Sequence, residues 1–238
     1  MRLLLLHNQY KIRGGEDTVV ESEIDLLRQH GHIVETVIES NESIHFLNAI
    51  KIGMQAVYSN HSKNLIRKKI KSFKPDLVHV HNFFPKLSPS IYDACIAEAV
   101  PVVQTLHNFR TICANGIFLR EGKSCELCLK GNAYQGFLHA CYRDSHLASF
   151  PVARMIQAHR NKDTWNTKVN QFIALSNFSK NKFIEAGFSP EKISTKSNFL
   201  ADPLASGAIA GKENFAVYVG RLSDEKGLHT LMKAWKNF

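Results

Sequence analysis

The chain has 238 residues, 44% hydrophobic and 21% charged, a balance that suits a soluble globular protein of one domain and part of another and excludes a disordered chain. Thirty basic side chains against 21 acidic ones give a formal net charge of +9. Such an excess favours phosphate-bearing partners such as nucleic acid, anionic lipid heads or nucleotide-sugar diphosphates. No stretch approaches the roughly 20 apolar residues of a membrane span. The apolar run at residues 3–6 is too short for a signal peptide and no small-residue cleavage site follows it, so the sequence reads as cytoplasmic.

In chain order, Leu3 to Leu6 predict a short buried parallel strand closed by polar residues and glycines. After Gly14-Gly15, residues 16–30 carry Val19, Val20, Ile24 and Leu27 at helical spacing, with Gly31 placed to cap the helix. A β-branched run at Ile33, Val34, Val37 and Ile38 predicts a second strand, and residues 44–71 one helix ending in a basic run. Lys74-Pro75-Asp76 introduces a strand at Leu77-Val78-His79-Val80-His81. Residues 91–99 predict a helix, 101–107 a strand, 172–176 a strand, 177–186 a helix stopped by Gly187, and 193–198 a further strand.

Alternating short apolar strands and amphipathic helices imply a doubly wound, mostly parallel α/β sheet. The pattern changes after residue 200. Residues 201–213 read as a linker rich in Ala, Gly, Pro and Ser, and 214–238 as a fresh strand (215–219) and helix (227–235). One βα unit cannot bury its own core, so a second, incomplete Rossmann-like domain is expected after a first domain of residues 1–200, which carries an insertion at about 110–165.

Two loops follow strands and precede helices. Gly14-Gly15 lacks side chains where backbone N–H groups meet a helix N-terminus, which suits a phosphate or sugar, or simply a tight turn. Gly220-Arg221-Leu222-Ser223-Asp224-Glu225-Lys226-Gly227 would set Arg221 and Lys226 at the carboxyl edge of a sheet. There a guanidinium fork and an ammonium suit diphosphate oxygens. His107 closes a buried strand and reads as a cleft residue or a core histidine. His79 and His81 alternate with Val78 and Val80 and so share one face.

Taken together, these segments resemble glycosyltransferase family 4, whose members pair two facing Rossmann-like domains (the GT-B fold). The resemblance rests on Arg13-Gly14-Gly15-Glu16, Lys74-Pro75-Asp76 with the strand to His81, Thr105-Leu106-His107-Asn108, Phe172 to Ser176, Ser197-Asn198-Phe199, and Tyr218 to Gly227, and it covers essentially the whole chain. It implies a nucleoside-diphosphate sugar as co-substrate, a saccharide or lipid-linked acceptor, retention of anomeric configuration and no metal in catalysis. It also implies roles. His107 would be catalytic; Arg221, Lys226 and Gly15 would hold the donor diphosphate; Gly14, Glu16, His81 and Asn108 would line the acceptor cleft. Many relatives carry Asp at the Asn108 position. The family's acidic motif, two glutamates separated by seven residues, does not occur before Phe238. An enzyme fragment is therefore expected, with a non-catalytic binding module, or a half-enzyme served by a separate donor-binding domain, as the alternative. No nucleic-acid-reading motif accompanies the basic charge.

Cys113, Cys125, Cys128 and Cys141 cluster in the insertion, with one Cys-x2-Cys pair. A structural zinc, free thiols and disulfide pairing are all compatible with this spacing. The insertion also carries Phe137, Arg143, Phe150, Arg154, His159 and Arg160. With Arg67, Lys68, Lys69 and Lys71 these would form a basic, partly apolar face for peripheral contact with the cytoplasmic face of an inner membrane, or else scattered solvated charges.

Overall fold

The computed structural model describes residues 1–41, 46–200, 215–220 and 222–236. Met1–Arg120 and Ser124–Leu200 make one compact unit, and Glu121–Lys123 with the described residues after Leu200 belong to a second.

The first unit starts with β1 (Arg2–Gln9), α1 (Gly15–Gln29), β2 (Ile33–Ser40), α2 (Phe46–Val57), α3 (Asn60–Phe73), β3 (Leu77–Asn82), α4 (Ser90–Ala97) and β4 (Val102–Leu106). The insertion follows, with a small hairpin of β5 (Leu119–Arg120) and β6 (Lys123–Ser124), then α5 (Leu127–Lys130), α6 (Gln135–Leu138), α7 (His146–Asn161) and α8 (Thr164–Lys168). The chain then returns through β7 (Gln171–Ala174), α9 (Asn177–Glu185) and β8 (Ile193–Thr195). Six strands form one sheet in the order β2-β1-β3-β4-β7-β8, and every pairing is parallel.

The expected doubly wound sheet is therefore present. From β1 the chain steps outward to β2 and then returns to β3 on the other side, so the strand order reverses beside β1. In open α/β sheets ligands bind outside the carboxyl ends of the strands at such a reversal. At that end, Leu6 pairs with Val80 but His7 pairs with Asn82. His81 is thus the extra residue of a bulge, a local device that re-aims side chains.

Alternation along β1 builds two cores. Leu3 and Leu5 pack with Val20 and Ile24 of α1 and Val34 of β2. Leu4 and Leu6 join the larger core with Ile66, Ile70, Tyr92, Met155, Phe172 and Phe183. A strand buried on both faces reads as a continuous apolar run, which is why Leu3 to Leu6 are four leucines in succession.

Two expectations are corrected. The single helix over 44–71 is two, because Ser59 ends the first and caps the second: its Oγ accepts the Ser62 N–H (3.2 Å) while its own N–H donates to Ser88 Oγ (3.0 Å). Residues 215–219 form no strand. A strand is defined by its ladder, and no neighbour pairs with them among the described residues, which leaves Phe215, Val217 and Val219 exposed. The last helix, α10 (Leu228–Trp235), does form after a 3-10 turn at Asp224–Lys226, and it buries none of its described side chains. The expected linker 201–213 and Arg221 lie outside the described residues.

Candidate functional site

The site grows from the ends of β1, β3 and β4 beneath α1. In parallel register His79 stands beside Val103 and Leu5, so odd positions of β1 and β3 face α1. His7, His79 and His81 are all buried on this side. His79 and His81 lie with ring centroids 4.3 Å apart, and His81 stacks on His107 at 5.2 Å. His81 Nδ1 and His107 Nε2 are hydrogen-bonded at 2.9 Å, while His79 Nε2 meets Thr105 Oγ1 at 2.9 Å.

Helix α1 lowers carboxylates onto this row. Asp17 takes the Gly14 N–H on one oxygen and His7 Nε2 on the other, each at 2.8 Å. That locks the glycine loop, the helix start and the end of β1 together. Glu23, two turns along, has Oε1 3.0 Å from Lys196 Nζ and 3.6 Å from His79 Nδ1, and its Oε2 is 4.0 Å from His81 Nε2. Burial depresses the basicity of these imidazoles. His107 is held down to about 3 by burial and by the charges His7 and His79 would carry, and His81 lies well below the ordinary range for the same reasons. At neutral pH the row is therefore uncharged, and His107 acts as a neutral imidazole.

Glu16 opens a second small network. Its Oε2 accepts the Tyr10 hydroxyl (3.0 Å) and Asn108 Nδ2 (3.4 Å), and Asn108 Nδ2 also reaches the Tyr10 oxygen at 3.3 Å. Burial raises the Glu16 carboxyl to about 8, against the pull of those donors. Asn108 stands where an aspartate would face Glu16 as a second carboxylate; the amide instead donates to it. Glu16 Oε1 is buried and has no hydrogen-bond partner among the described residues.

A shallow pocket opens at this edge, lined by His81, His107, Asn108, Arg110, Phe84 and Thr111 among others. Arg110 sits over the Phe84 and Tyr142 rings at 5.3 and 4.9 Å. The structure thus brings Gly14, Glu16, His81, His107 and Asn108 to one sheet edge. Gly15 is exposed at the first position of α1, and a Cβ there would meet nothing within 4 Å. Lys226 is exposed in the second unit.

The sequence reading overlooked His7, Tyr10, Asp17, Glu23, Arg110 and Lys196. Two of these carried a signal. Asp17 precedes Val20 by three, and Glu23 follows Val19 by four, so both carboxylates fall within the apolar stripe of α1. A charge in a buried stripe calls for partners.

The cysteines behave differently from the histidines. All five are free, which removes the disulfide reading. Cys113 Sγ donates to Asn115 Oδ1 at 3.0 Å, and Gly136 lies against Cys128 Sγ. Among the described residues, the group whose ligand atoms all lie within 4.8 Å of one another is Glu23, His79 and His81; the cysteines do not form one. The proposed basic face also changes. His159 is buried between Thr164 Oγ1 (2.9 Å) and the Val57 carbonyl (2.8 Å), and Arg160 donates to the Gly131 and Cys128 carbonyls. Arg67 pairs with Glu98 and Lys69 with Glu35. These side chains tie the unit together. No helix is long and apolar enough to cross a membrane among the described residues.

Residues 13–200 match the sequence profile of Glycosyltransferase Family 4. The chain belongs to that family. No curated protein matches it. Among solved structures it is similar to UDP-GlcNAc 2-epimerase from Neisseria meningitidis bound to UDP-GlcNAc, at 13% identity and a TM-score of 0.47 over 83% of this chain and 46% of that one. It is also similar to UDP-GlcNAc 2-epimerase from Methanocaldococcus jannaschii (14%, TM-score 0.44, 82% and 45%). A third is HepE from Anabaena in complex with UDP (18%, TM-score 0.41, 84% and 44%). The family 4 chain spans about half the length of these proteins.

Proposed function

We propose that this family 4 chain supplies the acceptor-side wall of a glycosyltransferase that moves a sugar from a nucleoside-diphosphate donor to a saccharide or lipid-linked acceptor, with retention of configuration. The observation that carries the reading is the meeting of His107, His81, Asn108 and Glu16 at the carboxyl edge of the sheet, beside the Gly14-Gly15 turn. This is where the fold accommodates ligands.

Each group has a chemistry suited to a sugar. Neutral His107 offers a hydrogen bond without a competing charge. Glu16, protonated at neutral pH, presents an unengaged oxygen that can donate to or accept from a hydroxyl. Gly15 lets a ligand approach the N-terminus of α1, whose N–H groups favour an anion. On the donor side, Arg221 and Lys226 would hold the diphosphate and stabilise the charge that develops as it leaves.

The test is a transfer assay on the full-length protein with a panel of nucleotide sugars and membrane-extracted acceptors. His107→Ala should lower turnover by about 10²–10⁴-fold while circular dichroism stays native. Unchanged turnover in that variant would remove His107 from the reaction, and absence of transfer from every donor would remove the activity.

A further inference from the structure

We propose that Glu23, His79 and His81 form a binding site for one divalent transition-metal ion, zinc by preference, with two imidazole nitrogens and one carboxylate oxygen as ligands.

The separations fit first. Glu23 Oε1 lies 3.6 Å from His79 Nδ1 and Glu23 Oε2 4.0 Å from His81 Nε2, and one ligand atom from each of the three residues falls within 4.8 Å of the others. Metal–ligand lengths of about 2.0–2.2 Å in tetrahedral geometry place ligand atoms roughly 3.3–3.5 Å apart. From the 4.8 Å bound, reaching that spacing needs a closure of about 1 Å shared among the three side chains.

The unused valences fit next. His81 Nε2 and Glu23 Oε2 face each other, both buried, and neither has a hydrogen-bond partner among the described residues. Buried polar atoms left this way are costly and ask for an explanation. An ion between them satisfies both at once.

The outer contacts complete the case. A ligating histidine normally presents its second ring nitrogen to a fixed partner. His79 Nε2 has Thr105 Oγ1 and His81 Nδ1 has His107 Nε2, each at 2.9 Å, so the nitrogens that remain are the ones turned towards Glu23. Lys196 holds Glu23 Oε1 at 3.0 Å, leaving Oε2 to bind. Two nitrogens and one oxygen suit zinc better than magnesium or calcium, which prefer all-oxygen shells. The inference concerns binding and gives the ion no step in sugar transfer, although the site shares His81 with the proposed cleft.

Full-length protein stripped by chelator would be titrated with Co²⁺ and then with Zn²⁺ against a chromophoric competitor. We expect one equivalent of Co²⁺ with the visible bands of nitrogen and oxygen ligation and no sulfur-to-metal charge-transfer band. Zinc should displace it. Glu23→Gln should weaken binding by at least about tenfold, and Cys128→Ser should leave it unchanged. Should Glu23→Gln fail to fold, ¹⁵N resonances of the His79 and His81 rings in the unmodified protein replace it: zinc should move both. No saturable uptake, uptake indifferent to Glu23→Gln, or ring resonances that do not move would overturn the site. A sulfur charge-transfer band lost in Cys128→Ser would do so too, assigning the ion to the cysteines.

Discussion

On the face of the sheet covered by α3, α4, α7 and α9, strands β1 and β3 present Leu4, Leu6, Val78 and Val80, all but fully buried; on the face beneath α1 the same strands present Leu3 and Leu5 and then His7, His79 and His81. The strands are shared, and only the parity of the position differs. A strand alternates its side chains, so one segment can build a hydrophobic core on one side and a polar network on the other. The apolar face answers to volume and packing. The face under α1 answers to hydrogen-bond and charge complementarity, because each buried polar atom there needs a partner.

This contrast is easiest to break by substituting one residue from each face. Leu4→Ala should cost about 2–5 kcal/mol in urea denaturation, and a loss below 1 kcal/mol would mean that the apolar face is loosely packed. Asp17→Ala on the other face should cost about 1–3 kcal/mol, since it strips partners from His7 Nε2 and the Gly14 N–H. A neutral result would show that the glycine turn holds itself.

A pH-dependent effect comes from Glu16. Its folded carboxyl keeps a proton up to about 8, whereas the unfolded one loses it near 4.5. Between those values the unfolded chain binds fewer protons than the folded one, so stability must fall as pH rises from about 4.5 to 8 and then level off. Glu16→Gln should flatten that limb in melting curves taken across the window. An unaltered slope would assign it to other groups. The mildest change is Gly15→Ala. With nothing within 4 Å of the new Cβ and a better helix former at the helix start, stability should stay within about 1 kcal/mol of the parent. The KM for the nucleotide sugar should nevertheless rise; an unchanged KM would take Gly15 away from the ligand.

Much of the architecture was legible because it is local. Four successive leucines, the Pro75-Asp76 lead into β3 and the glycine after α9 each carry their meaning within a few residues. The row Val78-His79-Val80-His81 announced one polar face and one apolar face, since period two is a property of the backbone. What escaped depends on distant partners. The break at Ser59 uses Ser88 from beyond α3. Glu23 gains its significance from β3 and from Lys196 past β8. The strand expected at 215–219 had the right composition, but composition cannot supply the neighbouring strand a ladder requires. His107 and Asn108 were found from the motif they belong to; Tyr10, which touches Asn108 across 98 positions of sequence, had no such signal.

The pairing of β4 with β7 has a kinetic consequence. These neighbours are joined through residues 107–170, which contain the hairpin and four helices of the insertion. Closing so long a connection carries an entropic cost before any ladder bond rewards it, and non-local pairing of this kind slows folding. Strands β2, β1 and β3 can associate through shorter crossovers as the chain leaves the ribosome. Pairing of β7 with β4 is therefore expected to follow the folding of the insertion, which shortens the span between them.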